Sequence, residues 1–167
     1  MSEPDFDPFL AFRVLFRNGV SFVVIGGYAA SVLGSPVVTG DLDICYARDA
    51  DNLERLAAAL RELGARLRGP GVPDDLPFQL DARTLQLGNS FAFTTSGGRL
   101  DALATPSGTA GFRDLEAGAV TVTIDDMTVR VANLDDLIRM KVASDRTKDR
   151  EHLEWLRALR QETSDPD

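Results

Sequence analysis

The stretch VVIGGYAASVLGSPVVTGDLDICY, residues 23–46, decides the fold. Its first three residues end a β-branched and aromatic run that begins at Val20 and reads as a short buried strand. Gly26 and Gly27 follow at once, and Tyr28 to Leu33 reads as a short helix that stops at Gly34. A helix starting there presents unpaired backbone N–H groups and a positive dipole end, which suits a phosphate. Glycine has no Cβ, so a phosphate can approach that backbone closely. Asp41 to Tyr46 then alternates polar and apolar residues, the period of a strand. Asp41 and Asp43 therefore share a face, with Cα atoms about 6.5 Å apart, while Leu42 and Ile44 point into the core.

Two carboxylates so placed repel each other, by roughly 3 kcal/mol at about 6 Å and an effective dielectric of about 20. A divalent cation converts that repulsion into binding, and Mg²⁺ favours one or two carboxylates together with phosphate and water oxygens. A third acid, Asp101, stands in the strand-like RLDAL, with Leu100 and Leu103 expected on the core side. Three carboxylates on neighbouring strands suit two metal ions and in-line attack on a phosphate. Spacing alone is weak evidence, because Asp5/Asp7, Asp49/Asp51 and Asp165/Asp167 repeat it in expected loops, caps and tails. The distinguishing feature is the ordered set: strand, Gly-Gly, helix, DLD strand, and a later strand with a lone acid.

Outward from this stretch, Pro8 to Arg17 is apolar enough for a buried helix that Asn18-Gly19 stops. Asp51 to Leu63 is the clearest helix, with Leu53, Leu56, Leu60 and Leu63 on one face and Gly64 at its end. GPGVPDDLP, residues 69–77, reads as a loop. Strand patterns return in TLQLG, FAFTT and RLDALAT, with a hairpin turn at Ser96-Gly97-Gly98. Val120 to Ile124 and Met127 to Val131 form a second hairpin about Asp125-Asp126. Asn133 caps a helix carrying Leu134, Leu137, Ile138 and Lys141; a second helix carries Leu153, Trp155, Leu156 and Leu159, and ETSDPD frays. Strands and helices mix without strict alternation, so the class is α+β. One structural domain is expected, a core of residues 1–132 with the helices of 133–167 packed on it.

The chain has 167 residues, 44% hydrophobic and 26% charged, as in an ordinary globular domain. Its single cysteine, Cys45, leaves no internal bridge to form and fits a reducing compartment. The acidic N-terminus lacks a cationic segment followed by an apolar run, and no apolar stretch approaches a membrane span. A cytoplasmic protein without membrane contact is expected. The net charge of −8 opposes standing attraction to nucleic acid, so no stable DNA binding is expected. A transient RNA substrate at a local basic patch stays open.

The pattern GG-x13-DLD-I, followed by LDAL and by DDLIRMKVASDRTKD, resembles the polymerase-β-type nucleotidyltransferase superfamily over about residues 20–160. It is most similar to small prokaryotic members related to toxin–antitoxin and abortive-infection nucleotidyltransferases. The resemblance implies a Mg²⁺-dependent enzyme that moves a nucleoside monophosphate from an NTP, ATP first, onto a hydroxyl of a protein partner or an RNA. It implies two Mg²⁺ ions held by Asp41, Asp43 and Asp101, a phosphate-binding turn at Gly26 and Gly27, and a nucleotide contact from Lys141, with Arg146 and Asp149 in the same motif. Many relatives carry Ser after the first glycine, where Gly27-Tyr28 stand here, and Arg where Val37 stands. A non-catalytic nucleotide-sensing or partner-neutralising module on the same fold is the rival reading. A small-molecule transferase is a third, set back by the little room for an acceptor domain.

Lys141 falls on the apolar stripe of its helix, where it either snorkels or reaches a ligand. Arg146, Lys148 and Asp149 read as helix-end charges and ion pairs. Arg66, Arg68 and Arg99 read as a basic rim or, more commonly, as scattered surface charge. His152 is expected at the surface, Cys45 as a buried strand thiol and Trp155 as a core anchor.

Overall fold

The computed structural model describes residues 4–73 and 76–164. Among them, seven strands form one mixed sheet: β1 (Phe22–Ile25), β2 (Asp41–Tyr46), β3 (Arg66–Leu67), β4 (Ser90–Thr95), β5 (Gly98–Leu103), β6 (Val120–Ile124) and β7 (Met127–Val131), ordered β3-β4-β5-β2-β1-β7-β6. β2 lies antiparallel to β1 and parallel to β5, and β1 runs parallel to β7. Helices α1 (Pro8–Arg17), α2 (Gly26–Val32), α3 (Ala50–Glu62), α4 (Ala82–Leu87), α5 (Phe112–Ala117), α6 (Leu134–Ser144) and α7 (Thr147–Ser164) flank it. The α+β class is therefore as expected.

Local chemistry sets the helix ends. Asp7 accepts from Leu10 N at 3.2 Å ahead of Pro8, which opens α1 with the fixed φ a first turn favours. Asp49 caps α3 by accepting from Asn52 N, and Asn133 caps α6 by accepting from Asp136 N at 2.7 Å. Asn52 is itself buried, and its amide joins Ser21 N, Ser21 O and Ala47 O, tying α3 to the edges of β1 and β2. The apolar face of α3, Leu53, Leu56 and Leu60, is fully buried with Leu63 beyond it. Leu137 of α6 and Leu156 of α7 belong to the same buried cluster as Ile44 and Val131.

The structure corrects three expectations and adds one helix. Thr84–Gly88 is not a strand; Asp81 accepts from Thr84 N at 2.8 Å and caps α4, which buries Leu85. Alternation over five residues cannot separate a strand from one helical turn when a cap precedes it. The short helix α5 follows Gly111 and carries no cap side chain, so the sequence offers little to announce it. Glu162–Ser164 complete α7, while residues 165–167 lie outside the described residues. Trp155 is 48% exposed on α7, and Leu156 takes the buried place instead. In the loop at 69–77, positions 74 and 75 lie outside the described residues, and the rest forms no helix or strand. Among the described residues, no helix is long and apolar enough to cross a membrane.

Candidate active site

The DLD strand positions the acids as its alternation dictates. Leu42 and Ile44 are buried on one face of β2, and Asp41, Asp43 and Cys45 take the other. In the parallel pairing of β2 with β5, Asp43 is opposite Asp101, Asp41 opposite Arg99, and Cys45 opposite Leu103. Paired residues point to the same face of a sheet, so Asp43 and Asp101 meet side by side. Leu103 shares that face and is only half-buried, so the core side of β5 is made by Leu100 and Ala102 rather than by Leu100 and Leu103.

The pair is electrostatically loaded. Burial, then the charge of Asp101 and a shared hydrogen bond with it, then the charge of Asp41, push the Asp43 carboxyl up to about 7; the Lys141 ammonium pulls the other way. Two adjacent acids that repel each other are a site where a cation can offset both charges. Arg68 Nη2 lies 2.7 Å from Asp101 Oδ1, a charge contact without hydrogen-bond alignment, since that oxygen has no hydrogen-bond partner among the described residues. Asp41 stands one pleat along the strand, and its backbone N and O both meet Thr39 Oγ1, at 3.3 and 3.1 Å. Among the described residues no three Asp, Glu, His or Cys side chains come close enough to hold one metal ion together. The donor set at hand is thus the Asp43–Asp101 pair, hard oxygens that fit a divalent cation, with Asp41 adjacent.

Gly26 is needed here for a reason the sequence did not reveal. Its φ is +72°, and a Cβ on it would overlap Asp43 Oδ2 and lie 3.0 Å from Cγ. The glycine makes room for the acid as well as opening the backbone. At Gly27, a Cβ would come within 3.1 Å of Thr39 Oγ1. α2 starts at Gly26 itself, two residues earlier than expected, with no side-chain cap on its first N–H groups.

The acids border a cleft of about 510 Å³ between the sheet and the C-terminal helices, lined by Gly26, Asp43, Asp101, Lys141, Ser144 and Arg146 among others. A cleft of about 410 Å³ at the far end of β2, by Tyr46 and Arg113, is lined by Asp49 and Glu116, which no strand pairing brings side by side as it does Asp43 and Asp101. Lys141, only 18% exposed, neither snorkels nor hangs free: its Nζ donates to Asp149 Oδ1 at 2.9 Å. Asp149 is buried and also accepts from Ser144 Oγ at 2.7 Å and from Arg146 N and Nε. Burial works against its charge, but the hydrogen bonds from Lys141, Ser144 and Arg146 outweigh it and hold the carboxyl well below the ordinary range. Asp149 is therefore the hub that fixes Lys141 and the α6–α7 corner, where Asp145 adopts φ +44°.

Because that carboxyl is depressed in the folded state, its stabilisation is complete above its ordinary value near 3.8 and fades as pH falls below it. Asp149→Asn should cost about 1–2 kcal/mol at neutral pH, measured by urea unfolding, and the gap to wild type should narrow below about pH 4. A gap that does not change with pH would show that the charge of Asp149 is not what matters.

The whole architecture can be set beside solved structures. It superposes on the lincosamide antibiotic adenylyltransferase LnuA, solved with lincomycin bound, with a TM-score of 0.59 and 15% identity, covering 93% of this chain and 99% of that one. A Thermotoga maritima protein put forward as a nucleotidyltransferase gives 0.56 and 16%, covering 93% and 97%. The antibiotic-resistance factor ANT(2'')-Ia gives 0.57 and 14%, covering 94% and 82%. This is the nucleotidyltransferase fold. No protein-family model matches the sequence, and no curated protein sequence matches it.

Within this nucleotidyltransferase fold, three residues stand apart from what the sequence suggested. Arg68 is no scattered surface arginine but the partner of Asp101. His152 is half-buried and lines a recess with Gly27, Val37 and Lys141. Asp149 is the ion-paired helix-end charge that the sequence suggested, but it is also buried. Cys45 is a buried thiol as read, its Sγ 3.5 Å from Ala104 O, and burial pushes it up to about 12, far from a nucleophile's range.

Proposed function

We propose that this chain is a divalent-metal-dependent nucleotidyltransferase that moves a nucleoside monophosphate from an NTP to an acceptor hydroxyl. The observation that carries the reading is the pairing of Asp43 with Asp101 in register across β2 and β5, at the edge of a cleft into which Lys141 and Arg146 also project. Asp43 and Asp101 would hold the cation, with Asp41 beside them as a further oxygen donor. A bound Mg²⁺ supplies charge neutralisation at the phosphate and lowers the pKa of the attacking hydroxyl. The residues themselves do the rest. Lys141, oriented by Asp149, places a fixed positive charge in the cleft for a triphosphate oxygen. Gly26 and Gly27 keep side chains out of the approach to the α2 backbone.

The acceptor class is the finer part of the proposal. The motif resemblance supports a protein side chain of a partner toxin or an RNA end, with ATP as donor. The fold likeness to LnuA over 99% of that chain supports a second reading, a small-molecule hydroxyl, because a chain of this size evidently suffices for such an acceptor in that protein. Incubation with each α-labelled NTP, Mg²⁺ and either cellular protein and RNA or a panel of hydroxylated antibiotics decides among these. Acid-precipitable label is the expected outcome. Acid-soluble adduct instead would favour the small-molecule reading, and NTP binding without any transfer would leave the non-catalytic module.

A further inference from the structure

Arg68 stands at the end of the two-residue strand β3, where its backbone N donates to Ala92 O at 3.0 Å. Its guanidinium divides between two partners: Nη1 donates to Phe93 O, and Nη2 lies 2.7 Å from Asp101 Oδ1. The carbonyl anchors the side chain, and the contact with Asp101 neutralises charge on an oxygen that no other group hydrogen-bonds among the described residues. That oxygen is one of those the cation would take in the reading above, on which this inference rests. The contact is also exchangeable. The Arg68 side chain is 20% exposed and that of Asp101 29% exposed, so the guanidinium can withdraw toward solvent although Oδ1 itself is buried beneath it. Immediately after Arg68 come Gly69 and Gly71, at φ +148° and +77°, in the irregular stretch that follows β3.

We infer that Arg68 is a positioning residue that occupies Asp101 as a built-in counter-cation and sets the metal affinity of the site by competing for it. Two adjacent acids need compensation before the cation arrives, and Arg68 supplies it to Asp101. The cation must then displace the guanidinium from Oδ1, so the apparent affinity is the intrinsic affinity reduced by the fraction of molecules in which Asp101 is free. The Phe93 carbonyl keeps the guanidinium within reach, so that it returns when the metal leaves. A guanidinium displaced by the metal remains at the cleft edge, available to an anionic substrate.

The test measures binding of Mn²⁺ alone, by paramagnetic resonance of the free ion, in wild type, Arg68→Gln and Arg68→Met. Removal of the competitor should tighten Mn²⁺ binding about tenfold in both variants, opposite in sign to what loosening the fold would do. Arg68→Lys, which keeps a cation within reach, should stay near wild type. In an Asp101→Asn background the Arg68→Gln change should leave Mn²⁺ binding unaltered, because the contested oxygen no longer carries charge. Binding in the variants equal to or weaker than wild type overturns the inference and leaves the metal reading intact. Absence of Mn²⁺ binding in every protein overturns that reading, and the inference with it.

Discussion

Asp43→Asn is expected to remove nucleotidyl transfer while making the metal-free protein more stable. Loss of a charged ligand should lower transfer by at least about a thousandfold, since the metal's contribution to the transition state is several kcal/mol. The stability change follows from the direction of the Asp43 shift, up to about 7 through burial and the charges of Asp101 and Asp41. The unfolded chain ionises this group near 3.8, whereas the folded one resists ionisation until about pH 7. Stability is therefore lost as pH rises from about 4 through 7, and the amide removes that loss. Asp43→Asn should gain about 2–3 kcal/mol at pH 8, some 5–10 °C in melting temperature, and nothing below about pH 4. Thermal unfolding in chelator at several pH values measures this. A destabilised variant at pH 8 would show that the carboxylate is a structural partner rather than a strained ligand.

Gly26→Ala should be the most damaging substitution at the site for the fold itself. An alanine must hold φ +72°, which costs about 1 kcal/mol, and its Cβ overlaps the Asp43 carboxylate, which adds overpacking of about 1–3 kcal/mol. A total of about 2–4 kcal/mol is expected in denaturant unfolding. In an Asp43→Ala background the overlap disappears and only the backbone part should remain. Equal costs in the two backgrounds would mean that Asp43 does not press on Gly26.

The elements that carry the site were legible because their signals are local. The DLD strand spans Asp41–Tyr46 as its alternation dictates, and the helix cap at Asn133 sits where its side chain announced it. The pairing of Asp43 with Asp101 was not legible: nothing in the sequence fixes the register of two strands more than fifty residues apart. The same gap hid Arg68, whose importance depends on β3 lying next to β4 and so within reach of β5. Asp149 was legible as an ion-paired helix-end charge, but its burial was not, because that comes from the turn between α6 and α7, which depends on a left-handed Asp145 that carries no strong sequence mark. Trp155 misled for the opposite reason: hydrophobicity says that a side chain gains from burial, not that its helix offers a buried place.

The central claim is that Asp43 and Asp101 form one cation site beside a triphosphate. Its most direct test is Mn²⁺ binding measured in the presence of a non-hydrolysable NTP analogue, in wild type, Asp43→Asn and Asp101→Asn, with folding checked by circular dichroism. Bound Mn²⁺ in wild type that weakens by at least about tenfold in each variant is the predicted result. Mn²⁺ binding that survives unchanged in Asp43→Asn would contradict the claim.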